Sequence, residues 1–325
     1  VSESSARFTY TFGLGGLLFF TFIITAATGI LLVFKYSPIP DSANRSMQYI
    51  ATVSPYGWYI RNLHYWAAQI MVITALLHMI RIVLTGGYLG GRGENWIIGN
   101  ILLVFIFSLD LTGSFLRWDV NSNFALVTGI NLILKIPFAG QFFSNLIAGG
   151  PNITENTLLH LYAWHIVGLP FFFFLFMVYH IYRIRCDGGI SSENSGIEIK
   201  TIPREVLFEK EIIFILFSAS ALIILSAIYT PELGYSPNSD INTDNIDAPW
   251  IFLFVQFLLR YIEPFTAGII IPLALILYWA SLPYRDKNHQ AQGIWFARER
   301  LKIWFSFLLS MLIICLLSIA EILIE

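Results

Sequence analysis

Charge is scarce in this chain. Asp, Glu, Lys and Arg make up only 12% of its 325 residues, about half the ~25% usual for soluble domains. Apolar residues reach 56%. That balance excludes a disordered segment and an ordinary cytosolic enzyme. Cations are not in excess: 19 Lys and Arg stand against 21 Asp and Glu, for a net charge of -2. No basic footprint for nucleic acid is therefore present. Cysteine is nearly absent as well. Cys186 and Cys315 lie far apart and form no CxxC, so neither a disulfide scaffold nor a thiolate metal site is indicated. The chain opens on Val with no signal-peptide layout, and an upstream start is expected.

What the chain has is long apolar runs, at roughly 12–34, 59–84, 96–116, 158–182, 212–229, 265–282 and 304–324. Each is long enough, or nearly so, to cross a hydrocarbon core of ~30 Å as a helix. Uniform apolarity without period-2 alternation argues for helices over strands. The expected fold is all-α: a polytopic transmembrane helical bundle of about seven helices, in contact with membrane lipid. Two shorter apolar segments are expected to be helical too. Residues 121–146, broken by Pro137 and Gly140, read as surface or re-entrant helices, and residues 249–261 read as a short helix started by Pro249.

Loop charge sets an orientation. Lys35, Arg45, Arg61, Arg117, Lys135 and Arg260 fall on one side, and the remaining Lys and Arg on the other, which carries the N-terminus. The positive-inside rule makes the cation-rich side cytoplasmic. A polar, charged seam at 186–211 divides the chain into 1–188, a linker at 189–211, and a three-helix unit at 212–325.

The histidines carry the chemistry. His64 and His78 are 14 residues apart in the second run, and His165 and His180 are 15 apart in the fourth. At 100° per residue those intervals depart from four full turns by about -40° and +60°, so each pair stays on one broad helix face, with ~21–23 Å between its members. One crossing separates the two runs, so they point the same way. His64 is then level with His165 near the outer surface, and His78 with His180 near the inner one. Facing imidazoles at two depths suit two stacked bis-histidine haems, so residues 1–188 are read as a di-haem four-helix bundle. Polar residues packed in an ordinary bundle are the alternative, but polar groups at membrane depth are costly and usually functional. His160 and His289 read as surface residues.

Gly15 and Gly29 in the first run, and Gly99 and Gly113 in the third, repeat the 14-residue interval. They fit helices that must leave room for a wide ring, or simply close helix packing. Arg61 and Arg81 lie three residues outside His64 and His78. They suit haem propionates as charge-assisted partners, or headgroup snorkelling.

These residues, with GWYIRNLHYW at 57–66, LLHMIR at 76–81, LTGSFLRWD at 111–119, YAWHIVGLP at 162–170, HIYRIRCDGGIS at 180–191 and DAPWIFL at 247–253, resemble the cytochrome b family of quinol:cytochrome c oxidoreductases. The likeness covers nearly the whole chain. The 15-residue interval and the three C-terminal helices look like the chloroplast-type branch, and the fused chain like bacterial menaquinol-oxidising relatives. The resemblance implies two haem b groups: an outer, low-potential one on His64 and His165, and an inner, high-potential one on His78 and His180. It implies quinol oxidation outside, quinone reduction inside and proton translocation. It also implies a Rieske iron–sulfur protein and a cytochrome c-type subunit as partners, a homodimeric complex, and a bacterial energy-transducing inner membrane. Pro249 and Trp250 would border the quinol pocket, while Arg185 and Asp187 would lie near the inner quinone.

The chain departs from that family at the outer site. Pro-Glu-Trp-Tyr is replaced by Ala248-Pro249-Trp250-Ile251, Gln256 is followed by Phe257 and not Glu, Arg117 stands where Pro is usual, and His160 where Arg is common. Quinol oxidation must release protons to a base within hydrogen-bond reach. Asp247, Asp119 and Glu263 are the candidates to replace the missing Glu, and a modified working site is the favoured reading. The alternatives are a haem wire that has lost outer quinol chemistry, and a transporter, for which discontinuous helices and pseudo-repeats are expected and not evident. The first run has no Cys to tether a c-type haem, so no covalent haem is expected. Cys186 reads as an ordinary thiol.

Overall fold

The computed structural model describes residues 11–190, 203–237 and 248–324. Within them the structure is helical. Helix α1 (Leu14–Val33) is followed by a short α2 (Pro40–Thr52) and by α3 (Gly57–Thr85), the longest uninterrupted α-helix described. Gly86 ends α3 at φ 63, the left-handed conformation that a glycine reaches without a Cβ clash. Helix α4 (Gly93–Phe115) returns across the bundle.

The broken segment expected between the third and fourth runs forms α5 (Val120–Leu134) and α6 (Gly140–Ala148). Helix α7 (Glu155–Ala163) then passes through a π-helical turn (Trp164–Gly168) into α8 (Leu169–Cys186). Helix α9 spans Arg204–Ile228. Its start precedes the apolar run because Pro203 supplies the N-cap and Glu205 occupies the first turn, a start signal that hydropathy does not carry. Pro249 caps a 3-10 turn (Trp250–Phe252) leading into α10 (Leu253–Leu259). A second π-turn (Thr266–Ile270) opens α11 (Ile271–Ala280), followed by α12 (Leu282–Arg285) and α13 (Leu301–Ile324).

Among the described residues six helices are long and apolar enough to cross a membrane, and the expected run at 265–282 is the shorter helix Thr266–Ala280. Both π-turns end two residues before a proline, Pro170 and Pro272. Proline lacks the N–H that would bond four residues back, and its ring crowds that carbonyl, so a widened turn relieves the conflict.

Two helix pairs form the bundle: α1 packs along α3, and α4 along α8. Helix α9 lies on α3 and α1, and α13 on α10. One core cluster, around Val72, Met79, Val83, Leu103 and Phe173, fills the middle and one end. A second, around Phe115, Trp118, Leu126 and Leu158, fills the other. Outward faces are apolar, as at Phe171, Phe174, Ile213, Phe217 and Leu316. A surface of this kind is solvated by lipid tails and not by water.

The strap 229–235 closes the end of the bundle near His64. Trp66 Nε1 donates to the Tyr229 carbonyl at 2.8 Å. Asn62 Nδ2 donates to Thr230 Oγ1 at 3.1 Å, and Asn44 Nδ2 to the Gly234 carbonyl at 3.3 Å. At the opposite end Arg300 is fully buried against Asp286, Nε to Oδ2 at 2.7 Å. Tyr88 donates to the same carboxylate at 2.8 Å. Burial holds the Tyr88 phenol above its ordinary range, against the pull of the Arg300 charge.

Candidate functional site

His64 on α3 and His165 in the π-turn face each other, with ring centroids 6.3 Å apart and planes at 75°. Two metal–imidazole bonds of about 2.0 Å each, plus the distance from each nitrogen to its ring centre, add up to a separation of this size. His78 and His180 line a common cavity of about 330 Å³ with Arg81, Met79, Asn95 and Trp96. The structure therefore brings the four histidines together as two pairs, one at each end of the α1–α3 and α4–α8 helix pairs.

The π-turn explains the unequal intervals of 14 and 15. An ideal α-helix would set the two pairs about 100° apart in azimuth. The widened turn at Trp164–Gly168 takes up the additional residue.

Each glycine serves one histidine. A Cβ at Gly113 would come within 2.9 Å of His165 Cε1, and one at Gly29 within 3.2 Å of His64 Cε1. At the other end the corresponding distances are 3.6 Å from Gly99 to His180 and 4.0 Å from Gly15 to His78. The glycines thus seat the imidazole edge against the backbone of the paired helix, tightly at the His64–His165 level and loosely at the other.

Hydrogen bonding fixes the tautomer at the tight level. His64 Nδ1 lies 3.0 Å from the Thr25 carbonyl, which can only accept, so Nδ1 carries the proton. His165 Nδ1 lies 3.0 Å from Thr112 Oγ1. The Thr112 hydroxyl proton is already donated to the Ser108 carbonyl at 2.7 Å, so the imidazole N–H is the donor here too. Thr28 repeats the arrangement, 3.0 Å from His64 Nδ1 and donating to the Ile24 carbonyl at 2.6 Å. Both Nε2 lone pairs are left available to a metal, and the Nδ1 hydrogen bond orients each ring. Among the described residues no group of three or more His, Cys, Asp or Glu could hold a metal. Paired imidazoles alone suit an iron that brings its own in-plane ligands, as a haem does.

The other expected site residues divide. Arg81 lines the cavity beside His78 and His180. Arg61 instead donates to the strap, Nη1 to the Pro231 carbonyl at 2.9 Å and Nη2 to the Glu232 carbonyl at 3.4 Å. Arg185 is exposed, and Asp187 pairs with Arg183 at 3.0 Å. Neither lines the cavity, whereas Arg92, Glu211 and Gly189 do. Arg92 Nη2 donates to the Asp187 carbonyl at 2.6 Å. Sequence spacing had no means of joining α9 to α1, so Glu211 was not among the candidates.

Pro249 and Trp250 stand at the mouth of α10, with Gln256 Oε1 accepting from the Ala248 N–H at 2.6 Å. Asp247 lies outside the described residues. Asp119 is buried as the N-cap of α5: Oδ1 accepts from the Ser122 N–H at 2.8 Å, and Oδ2 from the Gly234 N–H at 3.3 Å. Glu263 Oε2 accepts from the Thr266 N–H at 3.0 Å. Backbone donors at Phe265 and Thr266 hold that carboxyl below the usual glutamate range. Two of the three expected acids are thus engaged as helix caps. His160, His289, Cys186 and Cys315 are exposed.

Known proteins resemble this chain in sequence and in fold. Residues 2–188 match the family described as Cytochrome b/b6/petB. Cytochrome b6 of Trichodesmium erythraeum is 37% identical over 175 residues, covering 54% of this chain and 79% of that protein. Cytochrome b6 of Porphyra purpurea is 37% identical over 177 residues, covering 54% and 81%. A chain of a hyperthermophilic respiratory Complex III shares the fold across 99% of this chain and 85% of its own, with a TM-score of 0.82 at 23% identity. The chain belongs to the cytochrome b/b6 family, an integral membrane family that binds haem b.

Proposed function

We propose that this protein is the di-haem cytochrome b subunit of a respiratory quinol-oxidising complex, carrying electrons between an outer quinol-oxidation site and an inner quinone-reduction site. The carrying observation is the pairing of four histidines at two levels between the same two helix pairs. His64 and His165 hold the outer haem, and His78 and His180 the inner one. Haem iron, when bound, supplies one-electron redox chemistry.

The residues of the chain do the rest. The Nδ1 hydrogen bonds orient the outer rings, the glycines seat them, and Arg81 meets a propionate. Arg92 and Glu211 border the same cavity as His78 and His180, and a quinone is reduced beside the haem held there. A menaquinone substrate, a Rieske iron–sulfur protein, a cytochrome c-type subunit, a homodimeric complex, proton translocation and a bacterial inner membrane with a cytoplasmic N-terminus complete the proposal.

A second reading keeps the haems as a transmembrane electron conduit without outer quinol chemistry. It is favoured by one observation, the engagement of Asp119 and Glu263 as caps. Purification of the intact complex separates the two. A co-purifying Rieske protein, and quinol-driven haem reduction blocked by a stigmatellin-type inhibitor, support the first. Haem reduction indifferent to that inhibitor, with no Rieske partner, supports the second.

A further inference from the structure

One carboxyl lies within the bundle at the outer level and was not singled out by spacing. Asp110 sits on α4, three residues before the glycine that seats His165. It is therefore ~4.5 Å along the helix from that level. Its Oδ1 accepts from Gln69 Nε2 at 2.8 Å. Gln69 is on α3, five residues after His64. Its other amide atom, Oε1, accepts from Trp250 Nε1 at 2.5 Å. An indole N–H can only donate, so the amide orientation is fixed and its NH₂ group must face the carboxylate. Trp250 is 42% exposed, which places the far end of the chain of bonds at the protein surface.

A carboxyl inside a membrane span is costly and marks function by default. This one joins α3, α4 and the Pro249–Trp250 segment, and Gln69 takes only Oδ1. Asp119 and Glu263 are occupied as caps. The charged or titratable groups that face Asp110 are Tyr65 on α3 and Arg117 beyond the end of α4.

Resting on the quinol-oxidising reading above, we infer that Asp110 is the outer-site proton acceptor, with Gln69 as its positioning residue. The quinol O–H bond breaks and an O–H bond forms on Asp110 Oδ2. The two electrons pass to one-electron acceptors: the haem held by His64 and His165, and an iron–sulfur partner. The second quinol proton leaves to the outer aqueous phase.

The test uses the intact complex, with a soluble quinol analogue as substrate and the outer-site inhibitor as a control. D110N should slow inhibitor-sensitive quinol oxidation by ~10²-fold or more, the scale of a general base, with haem content and spectra unchanged. D110E should restore turnover with a displaced pH–rate profile, and Q69A should displace that profile without abolishing turnover. D110N activity within about twofold of wild type would overturn the assignment while leaving the quinol-oxidising reading intact. If D110N loses haem, D110E decides: a displaced profile supports the assignment and an unchanged one overturns it. Wild-type complex with no inhibitor-sensitive oxidation would instead sink the quinol-oxidising reading, and the role of Asp110 with it.

Discussion

The graded fit of the four glycines against the four histidines gives a perturbation whose outcome differs from site to site. In Gly113→Ala the new Cβ would lie 2.9 Å from His165 Cε1. That is well inside van der Waals contact, and the neighbour is a ring held by a hydrogen bond from its own Nδ1 to Thr112. Overpacking of this kind costs ~1–3 kcal/mol, against a helix-propensity gain of ~1 kcal/mol for Gly→Ala. In Gly15→Ala the Cβ meets His78 Cε1 at 4.0 Å, an ordinary contact, and only the propensity gain remains. Gly29→Ala, at 3.2 Å, and Gly99→Ala, at 3.6 Å, fall between. Haem occupancy should therefore drop in the order Gly113, Gly29, Gly99, Gly15. The loss should fall on the haem held by His64 and His165 for the first two variants. A pyridine haemochrome assay gives haem per chain, and an optical redox titration tells which component is lost. Equal effects at Gly113 and Gly15, or full retention of both components in Gly113→Ala, would refute the seating argument.

Further outcomes follow from the same contacts. Thr112→Val removes one acceptor for His165 Nδ1–H and leaves the Leu109 carbonyl as the other. A bond of ~1 kcal/mol that raises ligand basicity is lost, so the midpoint of that haem should rise by roughly 40 mV while the other stays in place. An unmoved titration would count against the assigned tautomer. Tyr36 donates to the Leu116 carbonyl at 2.8 Å, and burial, then the neighbouring Tyr162, push its phenol above the ordinary value. The stabilisation is present below the unfolded pKa of ~10 and is lost as pH rises through the raised folded value. The gap in thermal stability between wild type and Tyr36→Phe should accordingly shrink between about pH 9 and the alkaline limit; a constant gap would contradict this. Arg300→Gln leaves the buried Asp286 carboxylate without its cation. It should cost ~3–5 kcal/mol in unfolding measurements in detergent, and a change below ~1 kcal/mol would reject the pairing as a structural element.

Much of the architecture was legible because lipid imposes one solution on a long apolar run. The spans, the breaks at Pro137 and Gly140, and the Pro249 start all follow from local chemistry. So did the four histidines and four glycines, whose spacing is a property of single helices. Four features were not readable in that way. The π-turn around His165 depends on how Pro170 is accommodated upstream. Asp119 caps α5 through the local Ser122 N–H, but the strap that engages its second oxygen at Gly234 arrives from over a hundred residues away in sequence, so its loss as a candidate base was not legible. The Gln69–Asp110 contact joins two helices whose mutual rotation no one-dimensional pattern specifies. The two arginines looked equivalent at three residues from their histidines. Tertiary contacts made one a strap anchor and the other a cavity residue.

The central claim is that four imidazoles in two pairs hold two b-type haems at different depths. Optical redox titration of the purified complex, wild type and His64→Ala, tests it most directly. Two haem b per chain are expected in wild type, titrating as two components, with the lower-potential component lost and the higher one retained in the variant. A single haem per chain, or two components surviving His64→Ala unchanged, would contradict it.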